Sequence, residues 1–175
     1  YDISQGGNFE GKNIPNLRKT KGYERISQDF AEQRNTLFQY REKRVHPLKD
    51  DKVLTAWNGL MIAALAMGAR ILKDDSYLQA ARQAVDFIKH HLRRPDGRLL
   101  ARYRDGHAEY LAYAADYAYL IWGLIELYEA DFDSANLALA LELNEDLIKY
   151  FWDSKAGGLF FYGQDAEQLL TRPKE

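Results

Sequence analysis

The chain has 175 residues, enough for one folded unit that hides roughly 70% of its extended surface. Its 24 Lys and Arg nearly balance 26 Asp and Glu, so it offers no electrostatic footprint for nucleic acid or an anionic membrane, and a small uncharged partner is favoured. The absence of cysteine removes disulfides, thiolate metal sites and thiol nucleophiles, suits a reducing cytoplasm, and leaves four histidines and the carboxylates for chemistry.

No uninterrupted apolar run is read as reaching the roughly 18 residues of a membrane span. The start, Tyr1-Asp2-Ile3-Ser4-Gln5-Gly6-Gly7, lacks both a signal pattern and an initiator methionine, so the chain reads as an excerpt of a longer one. Aromatic residues are plentiful, with 12 Tyr and 3 Trp, and such rings stack on sugar faces as readily as they fill a core.

Residues 1–22 are rich in Gly, Asn and Pro and read as a leading loop, with residues 23–175 as the helical segment. From Tyr23 to Arg44, Ile26, Phe30, Leu37 and Phe38 share one face of an amphipathic helix that His46-Pro47 ends. Thr55 to Leu72 carries one charge, Arg70, and predicts a helix buried nearly all round. After an N-cap at Asp75-Ser76, the stripe Leu78, Ala81, Val85, Ile88 and Leu92 predicts a one-sided outer helix. The turns Asp96-Gly97 and Asp105-Gly106 bracket a short β-ribbon.

The pattern then repeats. Leu111 to Tyr128 is again almost free of charge, Ser134 to Phe151 is one-sided, and Gly157-Gly158 leads into an aromatic ribbon. Asp74 and Asp133 are 59 positions apart, as are Leu78 and Leu137, while Gly97 and Gly157 are 60 apart. Alternating buried and one-sided helices arise when inner helices line a ring and outer helices wrap it. The expected fold is therefore all-α, a helical-hairpin arc of a toroid with short β-ribbons between hairpins.

Polar residues at inner-helix starts are the ones a central cavity would use. Trp57 can stack on a sugar ring while Asn58, Asp51 and Lys52 hydrogen-bond its hydroxyls; the alternative is a helix cap with an anchoring indole. Asp116 opens a helix that otherwise excludes charge, so it is either paired or open to water, and it is the candidate catalytic acid or base. In the leading loop, Asn8 and Glu10 stand between glycines and either rim a pocket or form an exposed turn. His46, His90, His91 and His107 have no metal-ligand spacing, and neither metal nor cofactor is expected.

The strings Gly7-Asn8-Phe9-Glu10-Gly11-Lys12-Asn13, Asp50-Asp51-Lys52, Trp57-Asn58-Gly59-Leu60-Met61 and Asp116-Tyr117-Ala118 resemble the helical portion of the YyaL-type, spermatogenesis-associated thioredoxin-like proteins. The resemblance implies an (α/α)6 toroid similar to N-acylglucosamine 2-epimerases, cellobiose epimerases and several glycoside hydrolases. It also implies a sugar-like ligand with Tyr117 among the binding residues, and as partners the remainder of the toroid and a thioredoxin-like domain. The redox cysteines of that domain are absent, as is a recognisable epimerase histidine set. The rival expectation is a non-catalytic helical scaffold for protein–protein interaction.

Overall fold

The computed structural model describes residues 1–18, 28, 30–167 and 170–174. The chain divides into two compact units, Tyr1–Lys49 and Asp50–Glu175. In the first, helix α1 spans Ala31–Arg41 and buries no residue; Leu37 and Phe38 of its expected apolar face are exposed. It ends five residues before His46. Ile26, expected on the same face, lies outside the described residues.

The second unit contains β1 (Val53–Leu54), α2 (Thr55–Leu72), α3 (Asp75–His91), β2 (Leu100–Arg104), β3 (His107–Leu111), α4 (Ala114–Asp131) and α5 (Ser134–Phe151). The strands form one antiparallel sheet in the order β1-β2-β3, with Leu54 opposite Arg102 and Arg102 opposite Glu109. The fold is mainly helical with this small sheet, rather than all-α. Pairing of His107–Leu111 with β2 also delays the start of α4 to Ala114, three residues after the expected start.

The repeat is written into the turns and caps. Both inner helices stop on a left-handed residue, Lys73 (φ 57°) and Phe132 (φ 55°), 59 positions apart. Both outer helices then start from an Asp, one residue earlier than the expected Asp75 in the first: Asp74 accepts from Ser76 N–H at 2.9 Å and Asp133 from Ala135 N–H at 3.0 Å. After each outer helix the chain folds back through matching backbone bonds, Leu100 N–H to Leu92 O and Phe160 N–H to Phe151 O, both 2.8 Å.

Inner helices α2 and α4 pack on each other, and each outer helix lies on its own inner partner. The crossing of α2 and α4 is close enough to require glycine. A Cβ on Gly59 would fall 2.5 Å from the Tyr119 backbone, and one on Gly123 would fall 2.6 Å from Gly59 O. Arg70 reaches both Glu126 and Glu129 at the far end of the pair. Ile62, Ala66, Val85, Ile88, Leu120, Leu124, Leu143 and Phe151 fill the core between these helices.

Burial departs from expectation on α2. Thr55, Gly59, Ile62, Ala63 and Ala66 are buried, but Trp57, Leu60, Met61, Ile71 and Leu72 are exposed. The scarcity of charge signals an apolar surface, not one covered all round within this unit. Nor are outer helices systematically less buried than inner ones, since α5 buries as many residues as α4. Contrary to the sequence reading, α2 is long and apolar enough to cross a membrane by length and composition, at 18 residues and mean hydropathy 1.3; its buried face is packed on α4.

Candidate functional site

The start of α2 is built from sheet and loop. Strand β1 is held antiparallel to β2, and Thr55 Oγ1 donates to Leu100 O at 2.6 Å, fixing the first helical residue. The residue before it, Leu54, has no side chain able to cap. The free amide of Ala56 is instead satisfied from another helix: Asp116 Oδ1 accepts it at 2.9 Å. Asp116 Oδ2 accepts from Tyr113 N–H at 2.8 Å in the capping box of α4. One carboxylate thus joins the starts of both inner helices.

Asp116 is 4% exposed. Burial pushes its carboxyl above the ordinary range, and the amides of Tyr113 and Ala56 pull in the opposite direction without cancelling that rise. Both oxygens are engaged by backbone amides, so its immediate role is to position two helix starts.

Tyr117, implied to bind ligand, is fully buried in this structure. Its hydroxyl accepts from Arg98 Nη1 at 2.6 Å and from Leu99 N–H at 3.2 Å, so it is not open to a ligand. Burial raises its phenol above the usual value despite those donors. Arg98, which the sequence did not single out, is 3% exposed and forks onto Asp165 through Nε at 2.8 Å and Nη2 at 3.1 Å. Its guanidinium lies 4.5 Å from the Tyr150 ring centroid. Burial raises the Asp165 carboxyl, but the Arg98 bond and charge outweigh it and hold Asp165 low. The only sequence signal for Arg98 was its place after the Asp96-Gly97 turn.

On the exposed side of the α2 start, Trp57 is 70% exposed and Asn58 donates from Nδ2 to Leu54 O at 2.9 Å. The preceding loop forms a charged patch. Asp51 pairs with Arg104 Nε at 2.9 Å, and Lys52 with Asp50 at 2.6 Å. The expected residues Asp51, Lys52, Trp57 and Asn58 therefore occupy one short stretch, joined by Arg104 from β2. Asn8 and Glu10 belong to the other unit. There, Asn8 staples the leading loop by donating to Asp2 O and Ile14 O and accepting from Ile14 N–H, and Glu10 is an exposed turn residue at φ 47°.

Two cavities flank the start of α4. One of about 490 Å³ is lined by Ala114, Ala115, Ala118, Tyr119, Trp152 and Phe160, with Gly158, Leu159 and Phe161. The other, of about 180 Å³, is lined by Tyr110, Tyr113, Tyr162 and Glu167 among others. Tyr113 stacks on Phe161 and meets Tyr162 edge-on, so these rings stand between the two. The repeat was the one signal that could have placed Trp152 and Phe160 beside an inner helix.

The second unit's helices follow a path found in carbohydrate-active proteins of known structure. Cellobiose 2-epimerase from Bacillus thermoamylovorans matches 83% of this chain with a TM-score of 0.61 at 16% identity, over 44% of its own chain. A GH76 alpha-mannanase from Bacteroides thetaiotaomicron matches 67% with a TM-score of 0.59 at 18% identity, over 33% of its own. No family model matches. Human spermatogenesis-associated protein 20 is 37% identical over 133 residues, 71% of this chain and 17% of that protein. The chain is therefore related to the spermatogenesis-associated protein 20 family, as its motifs implied, and spans about a sixth of that human relative's length.

Proposed function

We propose that the chain is an arc of an (α/α)6 toroid that holds a carbohydrate-like ligand at the start of an inner helix, for epimerase- or glycosidase-like processing in the longer protein. The observation that carries this reading is Trp57. The repeat places it in register with Asp116, 59 positions earlier, so at this helix start a buried capping acid gives way to a 70% exposed indole. Such a substitution weakens a cap and gains a flat apolar plate. A plate of that kind suits the C–H face of a sugar ring.

Around it, Asp51, Lys52, Asp50 and Arg104 supply acceptors and donors for hydroxyls, and Asn58 still has its carbonyl oxygen to offer. These exposed ion pairs contribute little to stability, about 0–1 kcal/mol each, so exchanging them for hydroxyl contacts costs the fold little. Asp116 acts through the backbone, fixing the first turn of α2 and with it the direction of the indole. The fold shared with sugar epimerases and a mannanase supports a sugar as the ligand class.

Cellobiose and α-mannobiose titrated into the chain, with calorimetric heat as readout, test the reading. A saturable change at millimolar sugar should vanish in Trp57→Ala and survive, weakened, in Trp57→Phe. Binding that persists undiminished in Trp57→Ala overturns it, as does the absence of any saturable change with either sugar.

A further inference from the structure

The smaller of the two cavities at the start of α4, about 180 Å³, is walled on one side by the link from β3 to α4 and on the other by residues between 162 and 167. Tyr110 takes φ 63° within β3, a left-handed backbone that an aromatic residue rarely adopts. The bend breaks the alternation of faces along a strand, so the consecutive residues Tyr110, Leu111, Ala112 and Tyr113 all line this one cavity. Opposite them, Tyr162 meets Tyr113 edge-on with ring centroids 5.4 Å apart. The segment that follows Tyr162 is pressed onto the Arg98–Asp165 pair: a Cβ on Gly163 would fall 2.5 Å from Asp165 Oδ1 and 2.7 Å from Arg98 Nη2.

The lining is electrostatically one-sided. Glu167 is its one charged residue and has no ion-pair partner among the described residues. The nearby Arg98 is committed to Asp165, and Arg172, which donates to Tyr162 O, lies over Phe160 of the larger cavity. Burial pushes the Tyr113 phenol up, and Tyr162, Asp116 and Tyr110 add to the rise with no cation opposing it.

We propose that this cavity binds a small alkylammonium ion, held by the tyrosine rings and the Glu167 carboxylate. A permanent organic cation gains from aromatic faces within about 6 Å, and its methyl groups make no demand for hydrogen bonds. The size fits, since an apolar cavity of about 150 Å³ already takes a benzene-sized guest. An anion would meet the Glu167 carboxylate with no lining cation to offset it. The inference stands apart from the sugar reading, whose residues Trp57, Asp51 and Lys52 do not line this cavity.

The test titrates choline into the chain by calorimetry, beside dimethylbutanol, which has choline's shape without its charge. Saturable binding at millimolar choline is expected, with the uncharged isostere about tenfold weaker. Glu167→Gln, at an exposed position, should weaken choline about threefold and leave the isostere unchanged. Tyr162→Ala should abolish choline binding and Tyr162→Phe should keep most of it, with circular dichroism checking that each variant retains its helices. Nuclear Overhauser contacts from the choline N-methyl protons to the Tyr113 and Tyr162 rings locate the ion. The absence of saturable choline binding overturns the proposal. So does equal affinity for the two probes, which would make this an apolar cavity only, and so does choline binding that neither Glu167→Gln nor Tyr162→Ala alters.

Discussion

The first and second hairpins share a backbone plan but differ at one helix start. In the second, Asp116 is buried, caps its own helix and lends an oxygen to the other. In the first, Trp57 stands at the same place in the repeat, exposed and capping nothing, so α2 depends on its neighbour for a cap. A repeat can thus hold its turns and crossings constant while changing what one position offers to solvent.

The comparison is broken most severely in the core. Leu124 is fully buried, whereas Leu65, its counterpart 59 residues earlier, is only partly so. Leu124→Ala should cost roughly 2–5 kcal/mol in denaturant melts and Leu65→Ala clearly less. Equal losses would mean that the two inner helices are equally enclosed.

The crossing comes next. Gly59→Ala drives a methyl into the Tyr119 backbone and should cost about 3 kcal/mol, while Ala118→Ser, at the matching exposed position, should stay within about 0.5 kcal/mol.

The helix starts themselves give a smaller contrast. Asp116→Ala removes a cap from each inner helix, about 0.5–2 kcal/mol apiece, so a loss of about 2 kcal/mol is expected. Trp57→Ala should change the melting midpoint little, because its ring is mostly in water. A loss above about 1.5 kcal/mol for Trp57→Ala would turn the indole into a packing residue.

The smallest effect is a pH slope of opposite sign at two carboxylates, the buried Asp116 and the exposed Asp165. Burial raises Asp116 above 3.8 in the fold, so its contribution to stability is full below that value and is lost as pH rises through its folded pKa. Asp165 is held below 3.8 by Arg98, so its contribution is present above that value and lost as pH falls. Carbon-detected NMR titration of the two side chains should find Asp116 above and Asp165 below the ordinary aspartate midpoint.

Much of the helical plan was legible because periodicity and turn chemistry report on local structure. The bounds of Thr55–Leu72 and Ser134–Phe151 follow from apolar spacing, and the 59-residue offset survives in Lys73, Phe132, Asp74 and Asp133. Strand β3, His107–Leu111, was missed because its pairing with β2, not its own pattern, makes it a strand. Trp57, Asp51 and Lys52 could be marked from their types and spacing. Arg98 could not, because its burial depends on Asp165, 67 residues away, and on the rings of Tyr117 and Tyr150. The same limit applied to Tyr117, whose motif says nothing of which side of α4 the ring takes.

The cap that Asp116 lends to Ala56 also sets an order of assembly. Nucleating a helix is costly until its first turn has partners, and the first turn of α2 finds one 60 residues downstream. Its hydroxyl anchor, from Thr55 to Leu100, also bridges 45 residues. Until α4 docks, the beginning of α2 is left to fray while its end can form. The two hairpins therefore gain their structure together rather than one after the other, with a loop-closure cost that slows the first encounter and then makes the product cooperative.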